Sequence, residues 1–361
     1  MKKTERNKLV IIGNGFDLAH RFETSYSDFI EWYKEDCMKR ATENSHYTDD
    51  LIEITRVDSR NTLSQLKPKN SLLELQKDNN NNDIQLRYSH LLDRLIKLNS
   101  GFNWINIENE FYAYIVEIYK LHISDSSNVN NPTCIESLSL LNQKFNCLRN
   151  KLEEYLTIIQ QNDIENLNPN FIQNFGNIVQ DEWYNSFKNT DKKIVFLNFN
   201  YTNTIEHYTK NANTGNTKEE LIYIHGKLND PNNPIIFGYG DEIDEYYKKI
   251  EELNINSFLY HFKSFGYFKT NNYQKLLSFI ESDLFDVEIV GHSCGLSDRV
   301  LLNTIFEHDN CEAIKIHYYE NANGENDYTY KTQEISRHFN DKAKMRKRIV
   351  NFSECQALIC K

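Results

Sequence analysis

The sequence is poor in cysteine, proline and glycine, and it has no long apolar run. Its 7 cysteines include no Cys-x-x-Cys pair, so neither a disulfide framework nor a zinc ribbon is indicated. No stretch reaches the roughly 18 apolar residues that a membrane-spanning helix needs. The charged N-terminus is followed by a run of apolar residues, 9–12, that is too short for the core of a signal peptide. We therefore expect a reduced, cytoplasmic protein that does not insert into a membrane and that binds no metal.

Positive charge is also in deficit, because 41 lysines and arginines face 52 acidic residues and leave a formal net charge of -11. Non-specific binding to nucleic acid depends on cations that neutralise phosphates, so nucleic acid is an unlikely partner. The most basic stretch, KAKMRKR at residues 342–348, is interpreted as the solvated face of a terminal helix, with a partner-binding patch as the alternative.

Short apolar runs predict a parallel sheet. The first run, Leu9–Ile12, is apolar at every position, which is typical of a parallel strand buried on both faces. Similar runs follow at residues 193–197, 221–224 and 287–290, and a more polar run at 313–319 predicts a strand towards an edge of the sheet. The predicted fold class is α/β, with a doubly wound parallel sheet.

A large helical insertion is predicted between the first and second strands. Apolar residues recur at helical spacing over residues 84–98, 107–119 and 145–159, with loops expected at 78–83 and 124–133. A second helical stretch covers about 245–282, and the tail from about 332 again has a helical pattern. We predict three parts: a nucleotide-binding domain of residues 1–30 and 191–330, a mainly helical insertion of 31–190, and a helical tail of 331–361.

The strongest local motif follows the first strand, where Gly13-Asn14-Gly15 leads into Phe16 and Asp17. In a doubly wound sheet, such a turn lets a dinucleotide's pyrophosphate approach bare backbone and a helix N-terminus. The third glycine of the dinucleotide-binding pattern is absent, so a purely structural turn remains an equal alternative. Asp17 either caps the helix or reaches a hydroxyl group of a ligand.

Two further motifs follow the next two buried strands. Asn200 and Thr202 come after the strand at 193–197, at the edge where parallel sheets bind ligands, with helix capping as the alternative. His225 ends the strand at 221–224, and an imidazole suits proton transfer at neutral pH. Gly238 belongs to a glycine-flanked aromatic loop at 235–241 that is placed to cover a ligand.

The fourth motif, Gly291-His292-Ser293-Cys294-Gly295, follows the strand at 287–290. Gly291 and Ser293 allow a ligand to approach closely, and Asp298 is a candidate to bind ribose or to cap the next helix. The segment also matches the nucleophile elbow of esterases, Gly-x-Ser-x-Gly. Asp309 with His317 or His338 would then complete a triad, although nothing in the sequence singles them out.

Together the motifs resemble the AbiH family of bacteriophage abortive-infection proteins, over nearly the whole chain. The likeness rests on GNGFDLAH at 13–20, TSYSDF at 24–29, WINIE at 104–108, FNYTNTIE at 199–206, IHG at 224–226, IIFGYGDE at 235–242 and VGHSCGLSD at 290–298. One departure is Arg21, where the resemblance leads us to expect a glycine. The order of the motifs is also similar to that of sirtuin-like domains.

The sirtuin-like resemblance implies an NAD site. It assigns Asn200 and His225 to the catalytic positions, and it has the glycine turn and the late glycine-serine loop line the dinucleotide. Residue 202 is Thr where sirtuins usually have Asp, and the missing zinc ribbon disfavours protein deacylation. The implied activity is hydrolysis of the nicotinamide–ribose bond by a phage-defence effector, with a phage component as trigger and a homo-oligomer expected. The alternative is an NAD- or ADP-ribose-binding sensor or toxin that acts through a partner without turnover.

Overall fold

A computed structural model describes residues 6–56, 84–101, 106–122, 132–167, 191–209 and 218–358. The chain divides into two compact units. The first, which we call the sheet unit, comprises residues 1–24, 156–248 and 262–361, and the second, the helical unit, comprises 25–155 and 249–261. The sequence-based domain boundaries stay predictions.

The described strands are β1 Asn7–Ile12, β2 His46–Thr48, β3 Ile52–Arg56, β4 Ile84–Tyr88, β5 Lys193–Asn198, β6 Lys218–Tyr223, β7 Phe285–Val290, β8 Cys311–Tyr318 and β9 Gln356–Ala357. The described α-helices are α1 Asn14–Ala19, α2 Tyr26–Asn44, α3 His90–Gly101, α4 Ile107–His122, α5 Pro132–Ile159, α6 Glu206–Thr209, α7 Glu245–Glu251, α8 Asn256–Leu259, α9 Lys263–Tyr267, α10 Asn272–Ser282, α11 Arg299–Phe306, α12 Tyr328–Ser336 and α13 Lys342–Arg348.

Six parallel strands form the sheet of the sheet unit, in the order β6-β5-β1-β7-β8-β9. β1 lies in the middle of the sheet. β5 and β6 extend the sheet to one edge, and β7, β8 and β9 extend it on the other side of β1. This is the strand order of doubly wound dinucleotide-binding folds, in which the crevice at the reversal point lies at the carboxyl ends of the strands. The predicted α/β class with a parallel sheet is confirmed.

Both faces of β1 are buried, as its continuous apolar run predicts. Leu9 and Ile11 belong to one hydrophobic cluster, whereas Val10 and Ile12 belong to another. All four side chains are 0% exposed. Successive side chains of a strand point to opposite faces, so a central strand with helices or loops on both sides must be apolar at every position.

The described residues of the helical unit form the long helices α2 to α5 and a small antiparallel sheet in the order β2-β3-β4. The helical patterns at 107–119 and 145–159 are confirmed by α4 and α5. The helix predicted for 84–98 is wrong over its first part, because Ile84–Tyr88 is a strand paired with β3. Its residues alternate between apolar and polar, and α3 begins only at His90.

The C-terminal tail is helical at α12 and α13 but is not helical throughout. Gln356–Ala357 pairs in parallel with β8 and supplies the sixth strand, so β8 lies one strand inside the edge. The basic stretch does form a helix, capped by Asp341, yet Arg348 is buried and donates to the Phe306 carbonyl oxygen. The stretch is therefore only partly a solvated face.

The second predicted helical stretch, 245–282, is a series of four short helices, α7 to α10. The loop predicted at 78–83, residues 124–131 of the loop predicted at 124–133, and Trp104 and Ile105 of the WINIE motif lie outside the described residues. Residues 132–133 of that predicted loop are instead the first residues of α5. Within the part of the chain that the structure describes, no helix combines the length and apolarity that crossing a membrane requires.

Candidate functional site at the carboxyl edge of the sheet

The turn after β1 packs directly against the loop after β7. The Gly15 N–H donates to the Gly291 carbonyl oxygen (2.8 Å), and a Cβ atom added to Gly15 would lie 2.6 Å from that oxygen. A Cβ atom on Gly13 would overlap His292, and one on Gly291 would overlap the backbone at Phe16. The three glycines are therefore required by loop-to-loop packing, whether or not a ligand also uses them.

The amide groups of this turn already have partners. Gly13 N–H donates to the Val290 carbonyl oxygen (3.1 Å), and Phe16 N–H donates to the Gly13 carbonyl oxygen (2.8 Å). The Asn14 side chain exchanges hydrogen bonds with Thr24, at 3.0 and 2.7 Å. In this conformation, the predicted phosphate contacts at Gly13, Gly15 and Phe16 would require a rearrangement of the turn.

An amide-hydroxyl-carboxyl cluster joins the β5 loop to the β1 turn. The Asn200 Nδ2 donates to the Gly13 carbonyl oxygen (3.1 Å), and its backbone N–H donates to Asn198 Oδ1 (3.1 Å). The Thr202 hydroxyl donates to Asp17 Oδ2 (2.5 Å). The predicted residues Asn200, Thr202 and Asp17 thus meet at one place, and neither Thr202 nor Asp17 caps a helix with its side chain.

Asp17 is a carboxyl group almost without solvent contact, at 1% exposure. Burial raises its pKa to about 6, and the neighbouring side chains of Thr202, Thr204 and Asn200 offset part of that rise. Asp17 Oδ1 has no hydrogen-bond partner among the described residues. A buried oxygen without a donor is costly, so this atom is a candidate contact for a hydroxyl or amide of a ligand.

A second cluster is centred on Asp298, which is buried at the end of the 3-10 helix Leu296–Asp298, directly before α11. Its Oδ1 lies 2.8 Å from Lys263 Nζ and 3.1 Å from His225 Nε2. Although burial alone would raise the pKa of Asp298, the Lys263 ammonium and the His225 ring hold it well below its usual range. The predicted residues His225 and Asp298 are therefore in direct contact.

The contact with Asp298 determines which nitrogen of His225 can act as a base. A carboxylate only accepts hydrogen bonds, so Nε2 donates to Asp298, and in the neutral tautomer that does so the lone pair is on Nδ1. Nδ1 makes no hydrogen bond to a described residue. The ring is held between Tyr267, stacked at 6.2 Å, and Phe199, edge-on at 4.9 Å.

His292 is a third member of this cluster. Its Nδ1 accepts from the Cys294 N–H (3.0 Å), and its Nε2 lies 3.7 Å from Asp298 Oδ2. Burial lowers the pKa of His292 to about 3, so the ring is neutral at physiological pH. It also packs against Phe199 at 4.2 Å, so that Phe199 lies against both imidazoles.

The loop at 235–241 packs against the backbone at His225. Ile236 N–H donates to the His225 carbonyl oxygen (2.7 Å), and Tyr201 donates its hydroxyl hydrogen to the Ile236 carbonyl oxygen (3.1 Å). Gly238 is buried within this loop, and Ser293 is half-buried in the β7 loop.

Asn200 and His225 do not contact each other. Asn200 is bound to the β1 turn, whereas His225 is bound to Asp298 and Tyr267. They are linked through Phe199, which precedes Asn200 in the chain and touches the His225 ring. The edge therefore holds two neighbouring clusters rather than one predicted pair.

The esterase alternative finds no support in the side-chain contacts. His317 Nε2 pairs with Glu288 (3.0 Å), and His338 Nε2 bonds to the Cys294 carbonyl oxygen (2.7 Å). Asp309 lies on the surface and pairs with Lys344. None of the three completes a triad with Ser293.

Sequence reasoning missed Lys263, Tyr267 and the role of His292. Lys263 and Tyr267 lie on α9, inside a long helical stretch that carries no local signal for a site. His292 sits within a recognised motif but was assigned no role. A lysine only 1% exposed becomes recognisable only when its carboxylate partner, 35 residues later in the chain, is brought beside it.

Comparison with known proteins identifies the family. No curated protein matches the chain significantly. The sequence profile described as bacteriophage abortive infection AbiH matches residues 9–320, which include most of β1, all of β5 to β8 and all of the clusters above. The chain therefore belongs to the bacteriophage abortive infection AbiH family.

Proposed function

We propose that this protein binds NAD through a sirtuin-like sheet domain and hydrolyses the nicotinamide–ribose bond during the response to phage. Family membership indicates a role in phage abortive infection. Draining NAD would stop the host metabolism on which a phage depends. A phage component as trigger and a homo-oligomeric state are further parts of the proposal.

The observation that carries the proposal is the buried His225–Asp298 pair at the carboxyl edge of a sheet with the dinucleotide-binding strand order. A histidine can act as a general base when a carboxylate orients its ring and its second nitrogen makes no hydrogen bond to a described residue. Asn200 and Asp17 add an amide and a carboxyl group beside the first glycine turn.

In the proposed reaction, the bond between C1′ of the ribose and the nicotinamide nitrogen breaks, and the electron pair leaves with nicotinamide. Water adds to C1′ and transfers a proton to His225 Nδ1, directly or through a ribose hydroxyl. The products are nicotinamide, ADP-ribose and a proton. Asn200 orients the water or the carboxamide, and the ionised Asp17 stabilises the positive charge that develops on the ribose.

NAD content of infected cells tests the proposal. Cells that express the wild-type chain should lose NAD after infection, and purified protein with phage lysate should release nicotinamide. His225→Ala should lower the release rate at least about 100-fold, the usual contribution of a positioned base. Asn200→Ala should also lower the release rate, because the water or the carboxamide loses the group that orients it. His46→Ala changes an exposed histidine of the helical unit and serves as the matched control.

Unchanged NAD in infected cells, together with full phage restriction by His225→Ala, would overturn the hydrolase. The alternative, a sensor that binds NAD or ADP-ribose without turnover, is favoured by the occupied N–H groups of the glycine turn, since binding would require that turn to rearrange. Calorimetry that shows tight NAD binding with no nicotinamide release would identify the sensor.

A further inference from the structure

The helical unit contains a cleft of about 590 Å³ between α5 and the segment 249–261. This volume lies within the range of protein pockets that bind small ligands and short peptides. The cleft is not lined by the residues of the carboxyl edge, so it is independent of the proposed NAD chemistry.

Carboxamide groups dominate one wall of this cleft. Asn142, Asn146 and Asn150 all lie on α5 and all line it. Four residues of an α-helix span about 6 Å along its axis and a little more than one turn, so the three side chains form a row.

Hydrogen-bonding capacity along this row is unused. The Asn142 side chain is held by its Nδ2, which donates to the Ser257 carbonyl oxygen (2.8 Å), while its Oδ1 has no partner among the described residues. Asn142 is only 8% exposed. The Asn146 carboxamide makes no hydrogen bond to a described residue, and Asn150 uses only its oxygen, with Arg149. A buried unpaired amide oxygen on a cleft wall is costly unless a ligand supplies a donor.

The row matches the main chain of an extended polypeptide. A strand presents an N–H and a C=O to the same side every second residue, about 6.8 Å apart, close to the spacing of the carboxamides. A carboxamide offers both a donor and an acceptor, as each main-chain pair does. Tyr260, which is 65% exposed at the opposite wall, provides an aromatic surface for side chains.

We propose that this cleft binds an extended peptide segment through its main-chain amides, with Asn142, Asn146 and Asn150 as the recognition row. Nucleic acid does not fit, because Lys151, the cation among the cleft-lining residues, already pairs with Glu154 at 3.0 Å. In an abortive-infection protein, such a site is suited to detecting a protein segment exposed during infection.

A random library of 12-residue peptides, selected against the full-length protein, tests this site. Selected peptides should bind Asn146→Ala roughly tenfold more weakly, because two hydrogen bonds are lost. Tyr260→Ala should also weaken binding, because the variant removes the aromatic surface of the cleft. Asn44→Ala, an exposed asparagine of α2 outside the cleft, should bind like the wild type.

N-methylation of the peptide backbone provides the sharper readout. Methyl groups on alternate residues should abolish binding, whereas methyl groups on the intervening residues should leave it within about twofold, because only one side faces the row. Selected peptides that bind equally well to Asn146→Ala and Tyr260→Ala, or that show no two-residue period, would overturn the proposal. Binding of oligosaccharides from a glycan array, with no cleft-dependent peptide, would assign the cleft to carbohydrate instead.

Discussion

Two buried aspartates at the same edge of the sheet differ in pKa because the side chains around them differ. Asp298 meets an ammonium and an imidazole, and its pKa falls well below the usual range despite burial. Asp17 receives a hydroxyl hydrogen bond from Thr202 but no cation, and burial raises its pKa to about 6. Asp298 is therefore a permanent anion that orients His225, whereas Asp17 titrates close to physiological pH.

The raised pKa of Asp17 predicts a pH-dependent stability. In the unfolded chain the carboxyl group ionises near 3.8, but in the folded chain only near 6, so stability is lost as the pH rises between these values. The elevation corresponds to about 3 kcal/mol. Relative to wild type, Asp17→Asn should therefore gain up to about 3 kcal/mol in free energy of unfolding between pH 4 and pH 7, measured by urea denaturation.

Asp309→Asn is the control for this experiment. Asp309 is exposed, and the hydrogen bond from Lys344 lowers its pKa, so its variant should show a small change of the opposite sign. A difference between Asp17→Asn and wild type that stays constant with pH would show that Asp17 is not shifted.

Arg21 is the residue at which the sequence departs from the expected family pattern, and its backbone explains why glycine was expected. Its φ is 64°, in the left-handed region that costs most L-residues about 1–2 kcal/mol. The turn is kept nevertheless, because the Arg21 and Phe22 N–H groups donate to the carbonyl oxygens of Leu18 and Asp17. The Arg21 side chain is exposed.

Among the elements, the β1 turn and the β7 loop form one interlocked structure that positions both clusters. The loop carries His292 and leads to Asp298, while the turn receives Asn200 through the Gly13 carbonyl oxygen. The β1 turn and the β7 loop are in backbone contact, because a side chain at Gly13, Gly15 or Gly291 would hold the turn and the loop apart.

Gly291→Ala should therefore lower the free energy of unfolding by much more than the strain of an alanine at positive φ accounts for. Gly291 has φ +73° and a Cβ there would overlap Phe16, whereas Gly324 has φ +81° with open space around it. We expect Gly324→Ala to lower the free energy of unfolding by about 1–2 kcal/mol and Gly291→Ala by about 3 kcal/mol or more. Urea denaturation of both variants measures this difference, and equal losses would contradict the interlocked loops.

On the scale of the whole molecule, the two units are interleaved in sequence. Residues 249–261 interrupt the sheet unit but belong to the helical unit, where His261 packs edge-on against Phe111 (5.4 Å) and Phe145 (4.8 Å). These two phenylalanines are stacked at 3.9 Å in the core of that unit. The short segment therefore depends for its stability on α4 and α5, which end at residues 122 and 159, far earlier in the chain.

Phe111→Ala tests this dependence in the full-length protein. Truncation of a fully buried phenylalanine should destabilise the helical unit by about 3–5 kcal/mol. Hydrogen exchange followed by mass spectrometry should then show faster exchange in peptides covering 256–261 as well as α4 and α5, with β1 and β7 unchanged. Protection retained at 256–261 would assign the segment to the sheet unit instead.

Short-range patterns were sufficient for the central strands, the glycine turns and the long helices. Each of these is specified by neighbouring residues: unbroken apolar runs for doubly buried strands, glycines where loops pack closely, and three-to-four spacing for α4 and α5. Ile84–Tyr88 shows the limit, because its short alternation of apolar and polar residues runs directly into the helical pattern of α3, and the pairing with β3 that separates the two is not local.

The sequence by itself determined the parallel α/β class, the family, and the positions of Asn200 and His225 just after two strands of the sheet. Only the tertiary structure decided that His225 pairs with Asp298 rather than Asn200, that Lys263 completes this pair, and that two residues near the C-terminus form the sixth strand. The reason is physical: burial and charge pairing depend on residues that are distant in the chain, and no local pattern records which of them will meet.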